Sequence, residues 1–374
     1  MKIVIAMASF KGTFTACQAC EIVANAIAEC VPHAHLVLKP MADGGEGTAQ
    51  ALIKAANGRW LPKTVMGPLP DMKVQAGFAW FDLDKTALVE MASASGLVLL
   101  SKNQLNPLRT TTFGTGQLID AALKYSPTKI LLAVGGSATV DGGLGAATAL
   151  GWKFLDHHGN PIPLGGQSLL HITKIVKPQN LTLPPVEVLC DVDNPLCGRH
   201  GAAKVFGPQK GATPQMVKQL EKGLQHLAAL VEKQLHHNIS NVPGAGAAGG
   251  LAAGAIAFMN AKLVSGIETV MAHTNIRAEL QSADWVITGE GSFDKQSLYG
   301  KVVSGIAKIA AQSDTHLAVI AGQVSVSQKQ YQKIGIDTAI SCREPDMSLA
   351  HALANCRSLL YSAAQRFAKK YLCR

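Results

Sequence analysis

The chain has 374 residues and a mass of 39.2 kDa, enough for two domains or one large one. Hydrophobic residues make up 48% and charged residues 16%, which supplies a sizeable core and argues against a disordered chain. Aromatics are only 5% beside 36 glycines, a poor match to single-strand nucleic-acid binders that stack bases, and the net charge of +9 comes from scattered basic residues, not a block.

Residues 2–7 (KIVIAM) form a short apolar run suited to a buried strand. Lys11 and Gly12 break that run and no cleavage site follows, so the start reads as a strand rather than a leader peptide. Helical spacing of Ala19, Ile22, Val23, Ala26, Ile27 and Cys30 follows, then a strand at 35–40. This β-loop-α-β opening predicts a parallel sheet with right-handed crossovers. A second helix is expected from near Glu46 to Asn57-Gly58.

Between 59 and 100 the pattern changes to short strand-like runs and turns, with a strand at 86–92. KILLAVGG (129–136) is the strongest buried-strand signal, and EVLCDVDN (187–194) runs from a strand into an acidic turn. An amphipathic helix is predicted over 214–236 and a Gly/Ala helix over 244–257. Strands at 284–289, 316–322 and 337–341 then restore the opening rhythm, and a final helix covers 348–371. Two ends that share a rhythm around a different middle predict a discontinuous α/β domain, 1–64 plus 282–374, with an α/β domain of 65–281 inserted.

No apolar stretch reaches the roughly 18 residues of a membrane span. The eight cysteines make no disulfide framework, and the spacing of Cys190, Cys197 and His200 is not that of a zinc site, so reduced thiols in the cytoplasm are expected.

Five glycine loops carry chemistry: Ser9-Phe10-Lys11-Gly12; Asp43-Gly44-Gly45-Glu46-Gly47-Thr48; Gly135-Gly136-Ser137-Ala138-Thr139 with Asp141; Asp191-Val192-Asp193-Asn194; and Gly289-Glu290-Gly291 with Asp294-Lys295. Most follow a predicted strand, where open α/β sheets bind ligands. Glycine leaves backbone N–H groups open to phosphate, and the helix starts beyond favour anions. Singly, each loop is equally readable as a tight turn or a cap. Acids in such loops make sense when Mg²⁺ mediates or when a hydroxyl must lose its proton. Together they point to phosphoryl transfer from a nucleotide. Arg109, ahead of three threonines, is a candidate for gripping a carboxylate or phosphate with two parallel hydrogen bonds, or else a surface residue beside a cap.

Two motifs mislead. Gly244, Gly246 and Gly249 match G-x-G-x-x-G, yet no strand precedes them; Gly300-Lys301 lacks the earlier glycine and the Ser/Thr of a P-loop.

The segments KIVIAMASFKG, PMADGGEGT, NPLRTTTFGTG, GGSATVDGGLGAATALG, CDVDNPLCG, AAKVFGPQKGA, PGAGAAGGLAAG and ITGEGSFDKQSLYGK occur in family order. Through them the chain resembles the bacterial glycerate kinase type I family along essentially its whole length. The resemblance implies a cytoplasmic enzyme that phosphorylates glycerate with ATP and Mg²⁺. It also implies two α/β domains, expected here as a restriction-endonuclease-like one built from both termini and a flavodoxin-like insert. The family's first loop usually carries an acid where this chain has Ala8, which puts the role of that loop in question.

On this reading Asp43, Lys11 and Asp294 are catalytic candidates, as base or as charge neutraliser. Arg109, Glu46 and Ser9 are expected to bind the substrate, and Gly135, Gly136, Ser137, Thr139 and Lys295 the nucleotide. Asp191 and Asp193 are metal candidates. Product at the 2-hydroxyl is favoured by the resemblance alone. The expected partners are small molecules, with neither nucleic acid nor membrane, on a monomer or homodimer. Alternatives are a kinase for a related hydroxy acid such as tartronate or a longer aldonate, a nucleotide-binding regulator without chemistry, and a nicotinamide-dependent dehydrogenase using Gly244–Gly249.

Overall fold

The structure, a computed structural model, describes residues 1–10, 12–45, 47–298 and 302–373. The chain divides into two compact units: Met1–Asp43, Gln50–Asn57 and Ile267–Arg374 form one, and Gly44–Ala49 with Gly58–Gly266 the other.

In the terminus-built unit five strands form one sheet in the order Thr338–Ser341, His316–Ala321, Trp285–Gly289, Lys2–Met7, His35–Leu38, and all neighbours are parallel. The runs 2–7, 35–40, 284–289 and 316–322, expected in one discontinuous domain, lie in this one sheet. The continuous apolar character of the three central strands follows from burial on both faces. Helix Ala16–Cys30 opens on a capping box, Thr15 accepting from the Gln18 N–H while the Gln18 side chain accepts from the Thr15 N–H. Its Val23 and Ile27 join Ile3, Ile5 and Ile320 of the strands and Phe367 of helix Cys356–Tyr371 in one core. Each such side chain contributes roughly 1.5–3 kcal/mol by leaving water. The expected last helix is broken at Asn355 into Leu349–Ala354 and Cys356–Tyr371.

The inserted unit holds a six-stranded mixed sheet. Lys262–Val264, Val186–Leu189, Lys129–Ala133 and Thr86–Glu90 are parallel; Lys73–Phe81 and Arg59–Met66 continue it antiparallel. The hairpin joining the last two is closed by the Gly67 N–H on the Met72 carbonyl (2.7 Å).

Two expectations need correction. Taken in chain order, the strands of the terminus-built sheet lie 2-1-3-4-5, the doubly wound order of flavodoxin-like folds. That likeness therefore belongs to this unit and not to the insert, whose hairpin makes its sheet mixed. The divisions also fall elsewhere than at 64 and 282. A cut at 64 would split strand Arg59–Met66, paired along its length with Lys73–Phe81. Residues 267–281 join the terminus-built unit because Glu279 takes salt bridges from Lys2 (2.9 Å) and Lys39 (3.3 Å), and Lys39 also donates to the Thr274 carbonyl (3.0 Å).

Glycines 244–250 serve packing. Ala248, Gly249 and Gly250 at the start of helix Ala247–Met259 have positive φ, and a Cβ on Gly249 would lie 1.9 Å from the Thr139 carbonyl oxygen. A dinucleotide reading of these glycines has no support in that arrangement.

Candidate active site

In the inserted unit, Gly44, Gly45 and Ala49 lie at the carboxyl ends of three strands. The Gly135 N–H donates to the Gly44 carbonyl (3.2 Å). A Cβ on Gly135 would sit 2.4 Å from Gly45 Cα, and one on Gly44 (φ +82°) would sit 2.9 Å from the Leu189 carbonyl oxygen. Only glycine allows these approaches. The loops beginning at 43, 135 and 190 therefore converge. Glu90, last residue of its strand, accepts the Ala49 N–H (2.7 Å) and places a carboxylate at the first turn of helix Thr48–Ala55. Asp43, half-buried, immediately precedes this segment, and its side chain has no hydrogen bond or ion pair among the described residues. Glu46 lies outside the described residues.

The loop at 135–141 is anchored from beneath. Lys210, 1% exposed, donates through Nζ to Ser137 Oγ (2.7 Å) and to the Thr139 carbonyl (2.7 Å). Burial pushes its ammonium down to a pKa of about 7, and the nearby Asp141 carboxylate pulls the other way. Asp141 is fully buried, which raises its pKa. Hydrogen bonds from Thr112 N (2.8 Å), Thr112 Oγ1 (2.9 Å), Gly143 N (3.1 Å) and Gly145 N (3.2 Å) oppose that rise. The Gly135 N–H is engaged by Gly44 and the Ala138 N–H by Ser95. Of the four nucleotide candidates here, Gly136 is exposed, while Ser137 and Thr139 are buried. Thr139 Oγ1 is a buried polar atom without a partner among the described residues.

The threonines after Arg109 face inward. Thr110 Oγ1 donates to the Ala138 carbonyl (2.8 Å), and Thr111 and Thr112 reach Asp141. Arg109 itself is exposed. Asp191 Oδ1 accepts from Ser265 Oγ (2.8 Å) and the Gly266 N–H (3.0 Å), and Asp193 is exposed. No group of three His, Cys, Asp or Glu side chains among the described residues is arranged to hold a metal ion.

The terminus-built unit has its own opening, a cavity of about 380 Å³ at the carboxyl ends of its strands. Ser9, Glu290, Asp294, Gln323 and Arg343 supply polar lining; Phe10, Leu353 and Leu360 supply apolar lining. Asp294 Oδ1 accepts the Gln296 N–H (2.8 Å), and its own N–H donates to Ser297 Oγ (3.2 Å), closing the short helix Lys295–Leu298. Lys295 is exposed and Lys11 lies outside the described residues. Ala8, where an acid was looked for, is buried, and its N–H donates to the Gly289 carbonyl (2.8 Å). Among the described residues no helix is long and apolar enough to cross a membrane.

Sequence reasoning passed over Lys210 and Glu90. The signal for Glu90 was an acid closing an apolar strand. Lys210 carries none, because GPQKGA reads as a surface loop.

Comparison with known proteins agrees with the resemblance. The model of the glycerate kinase family matches residues 3–372. A glycerate kinase of Halalkalibacterium halodurans is 44% identical over 98% of this chain and 97% of its own, and a glycerate 2-kinase of Escherichia coli K12 is 43% identical over 91% and 90%. A crystal structure from Salmonella typhimurium LT2 that bears the name glycerate kinase 2 superposes with a TM-score of 0.85 at 39% identity, covering 99% of this chain and 98% of that one. A kinase with two α/β units, the chain belongs to the glycerate kinase family.

Proposed function

We propose that the chain transfers the γ-phosphoryl group of ATP to the 2-hydroxyl of D-glycerate in a Mg²⁺-dependent reaction. The observation that carries this reading is the convergence of acid-bearing glycine loops in the inserted unit, Gly44 bonding Gly135 and resting on Leu189. Asp43, next to that convergence, takes the hydroxyl proton as general base. Lys11 neutralises charge on the transferred group, and Arg109 with its planar fork binds the glycerate carboxylate. Glu46 assists substrate binding and Lys295 stays with the nucleotide; Ser9, expected with the substrate, lines the cavity of the terminus-built unit. The 2-position is supported by the name of the Escherichia coli relative, a glycerate 2-kinase.

Mg²⁺ shields phosphate charge in such transfers. It takes few protein ligands and several oxygens from phosphate and water. Asp193, exposed, suits that small share; Asp191 already has one oxygen engaged by Ser265 and Gly266.

The test is ADP release by purified protein with Mg²⁺ and ATP, with and without D-glycerate, followed by phosphorus NMR of the product. The expected result is D-glycerate-dependent ADP release and a 2-phosphate resonance. Absence of D-glycerate-dependent turnover with every divalent metal tried overturns the reading.

A further inference from the structure

An open doubly wound sheet offers its ligand crevice at the carboxyl ends of the strands where the strand order reverses. In the terminus-built unit that reversal lies between the adjacent strands Lys2–Met7 and Trp285–Gly289. Residues that follow both strands, Phe10 after one and Glu290 after the other, line the same cavity of about 380 Å³. Helix Leu349–Ala354 supplies another wall. Its Leu349 and Leu353, one turn apart, remain 59% and 49% exposed while lining the cavity. Two large apolar side chains held half in water at a cavity wall gain from an apolar partner.

We infer that this cavity takes the adenosine end of ATP, its base against the apolar wall that includes Phe10 and Leu353. The inference rests on the kinase reading above and adds where the nucleotide binds. Glycerate does not suit this cavity. A three-carbon acid with an oxygen on every carbon gains nothing from leucine and leaves most of the volume unfilled. The cavity also carries the carboxylates of Glu290 and Asp294, acceptor-only groups, beside the Arg343 guanidinium. Adenosine brings what they accept, ribose hydroxyls and an exocyclic amine, together with flat apolar faces for the opposite wall. Arg343 does not act as a carboxylate clamp. Its Nε donates to the Met347 carbonyl (2.7 Å) and its Nη1 to Gln323 Oε1 (3.2 Å), tying the segment before helix Leu349–Ala354 to the cavity floor.

The test places bulk or polarity in the apolar wall of the full chain. Ala352 lines the cavity, so Ala352→Trp fills it; Leu353→Ser removes an apolar face at a half-exposed position and keeps the test informative if the tryptophan disturbs folding. Binding of N-methylanthraniloyl-ADP, without glycerate, is read by fluorescence, and KM for ATP and for D-glycerate by turnover. The expected result is a Kd for the ADP probe and a KM for ATP raised at least about tenfold in Ala352→Trp, with KM for D-glycerate unchanged. Wild-type turnover with probe affinity within twofold in both variants overturns the nucleotide site and leaves the kinase reading standing. A probe that binds wild type and fails on the variants, with no D-glycerate-dependent turnover of ATP by wild type, overturns the kinase reading and supports the site.

Discussion

The ammonium of Lys210 lies under the 135–141 loop with its charge in dispute, and Lys210→Met makes that charge measurable. The folded-state pKa is lowered from 10.5 to about 7, with burial the largest cause. A lysine lowered in this way contributes stability that is present above pH 10.5 and lost as pH falls toward 7, because in that window the unfolded chain binds a proton that the folded chain refuses. Each full unit of the window is worth about 1.4 kcal/mol. From pH 9 down to pH 7, where the folded group is itself half protonated, the loss integrates to about 2 kcal/mol. Methionine cannot titrate, so the stability difference between wild type and Lys210→Met should widen by that amount from pH 7 to pH 9. A constant penalty accompanies it, because Ser137 Oγ and the Thr139 carbonyl each lose a 2.7 Å donor. Urea unfolding at fixed ionic strength measures the difference, with tryptophan fluorescence reporting this unit through Trp80 and Trp152, both buried in its core. Asp141→Asn removes the one charge that holds the lysine pKa up. In that background the widening should approach about 3 kcal/mol, the limit for one proton over the same interval. A difference that stays constant from pH 7 to pH 9 would refute a neutralising buried lysine.

Asp43→Asn should lower kcat by about 10²–10⁴-fold, the usual effect of removing a general base, while KM for ATP stays near normal; kcat within about threefold of the parent would place the base elsewhere. Arg109→Ala should raise KM for D-glycerate by about tenfold or more and leave KM for ATP alone, as loss of a bidentate charged contact requires. Gly135→Ala adds a Cβ 2.4 Å from Gly45 Cα, a backbone atom that cannot swing aside. A stability loss of about 1–3 kcal/mol is expected by urea unfolding, together with lower activity.

The three central strands of the terminus-built sheet were legible because each is buried on both faces and so reads as an unbroken apolar run. Strand Arg59–Met66 was harder, since most of it is exposed and it carries a proline and a lysine in mid-strand, as an edge allows. Strand order depends on pairing between runs, here between residues 2–7 and 285–289, and no local periodicity encodes it. The flavodoxin-like likeness was accordingly placed in the wrong unit. In the candidate site, the glycine loops were legible as loops, but the partners of their side chains were not. Lys210 reaches a loop 71 and 73 residues away, and the threonines after Arg109 serve an aspartate about thirty positions on.

Those partners sort the acids of the inserted unit and its border. Asp141 accepts from two backbone N–H groups of its own turn and from Thr112, Glu90 accepts from Ala49, and Asp191 accepts from Ser265 and Gly266. Each of these carboxylates has lone pairs committed to holding the backbone of a converging loop or the turn beside it. A general base needs an oxygen open to the substrate hydroxyl at hydrogen-bond distance. Asp43 differs from the three: its carboxylate has no hydrogen bond or ion pair among the described residues, and the glycines that follow it admit the close approach of two neighbouring strand ends. The acids look alike in the sequence, each beside glycine or at a strand end. In the structure Asp141, Glu90 and Asp191 hold the loops in place, and the proposal that Asp43 receives the proton rests on that difference.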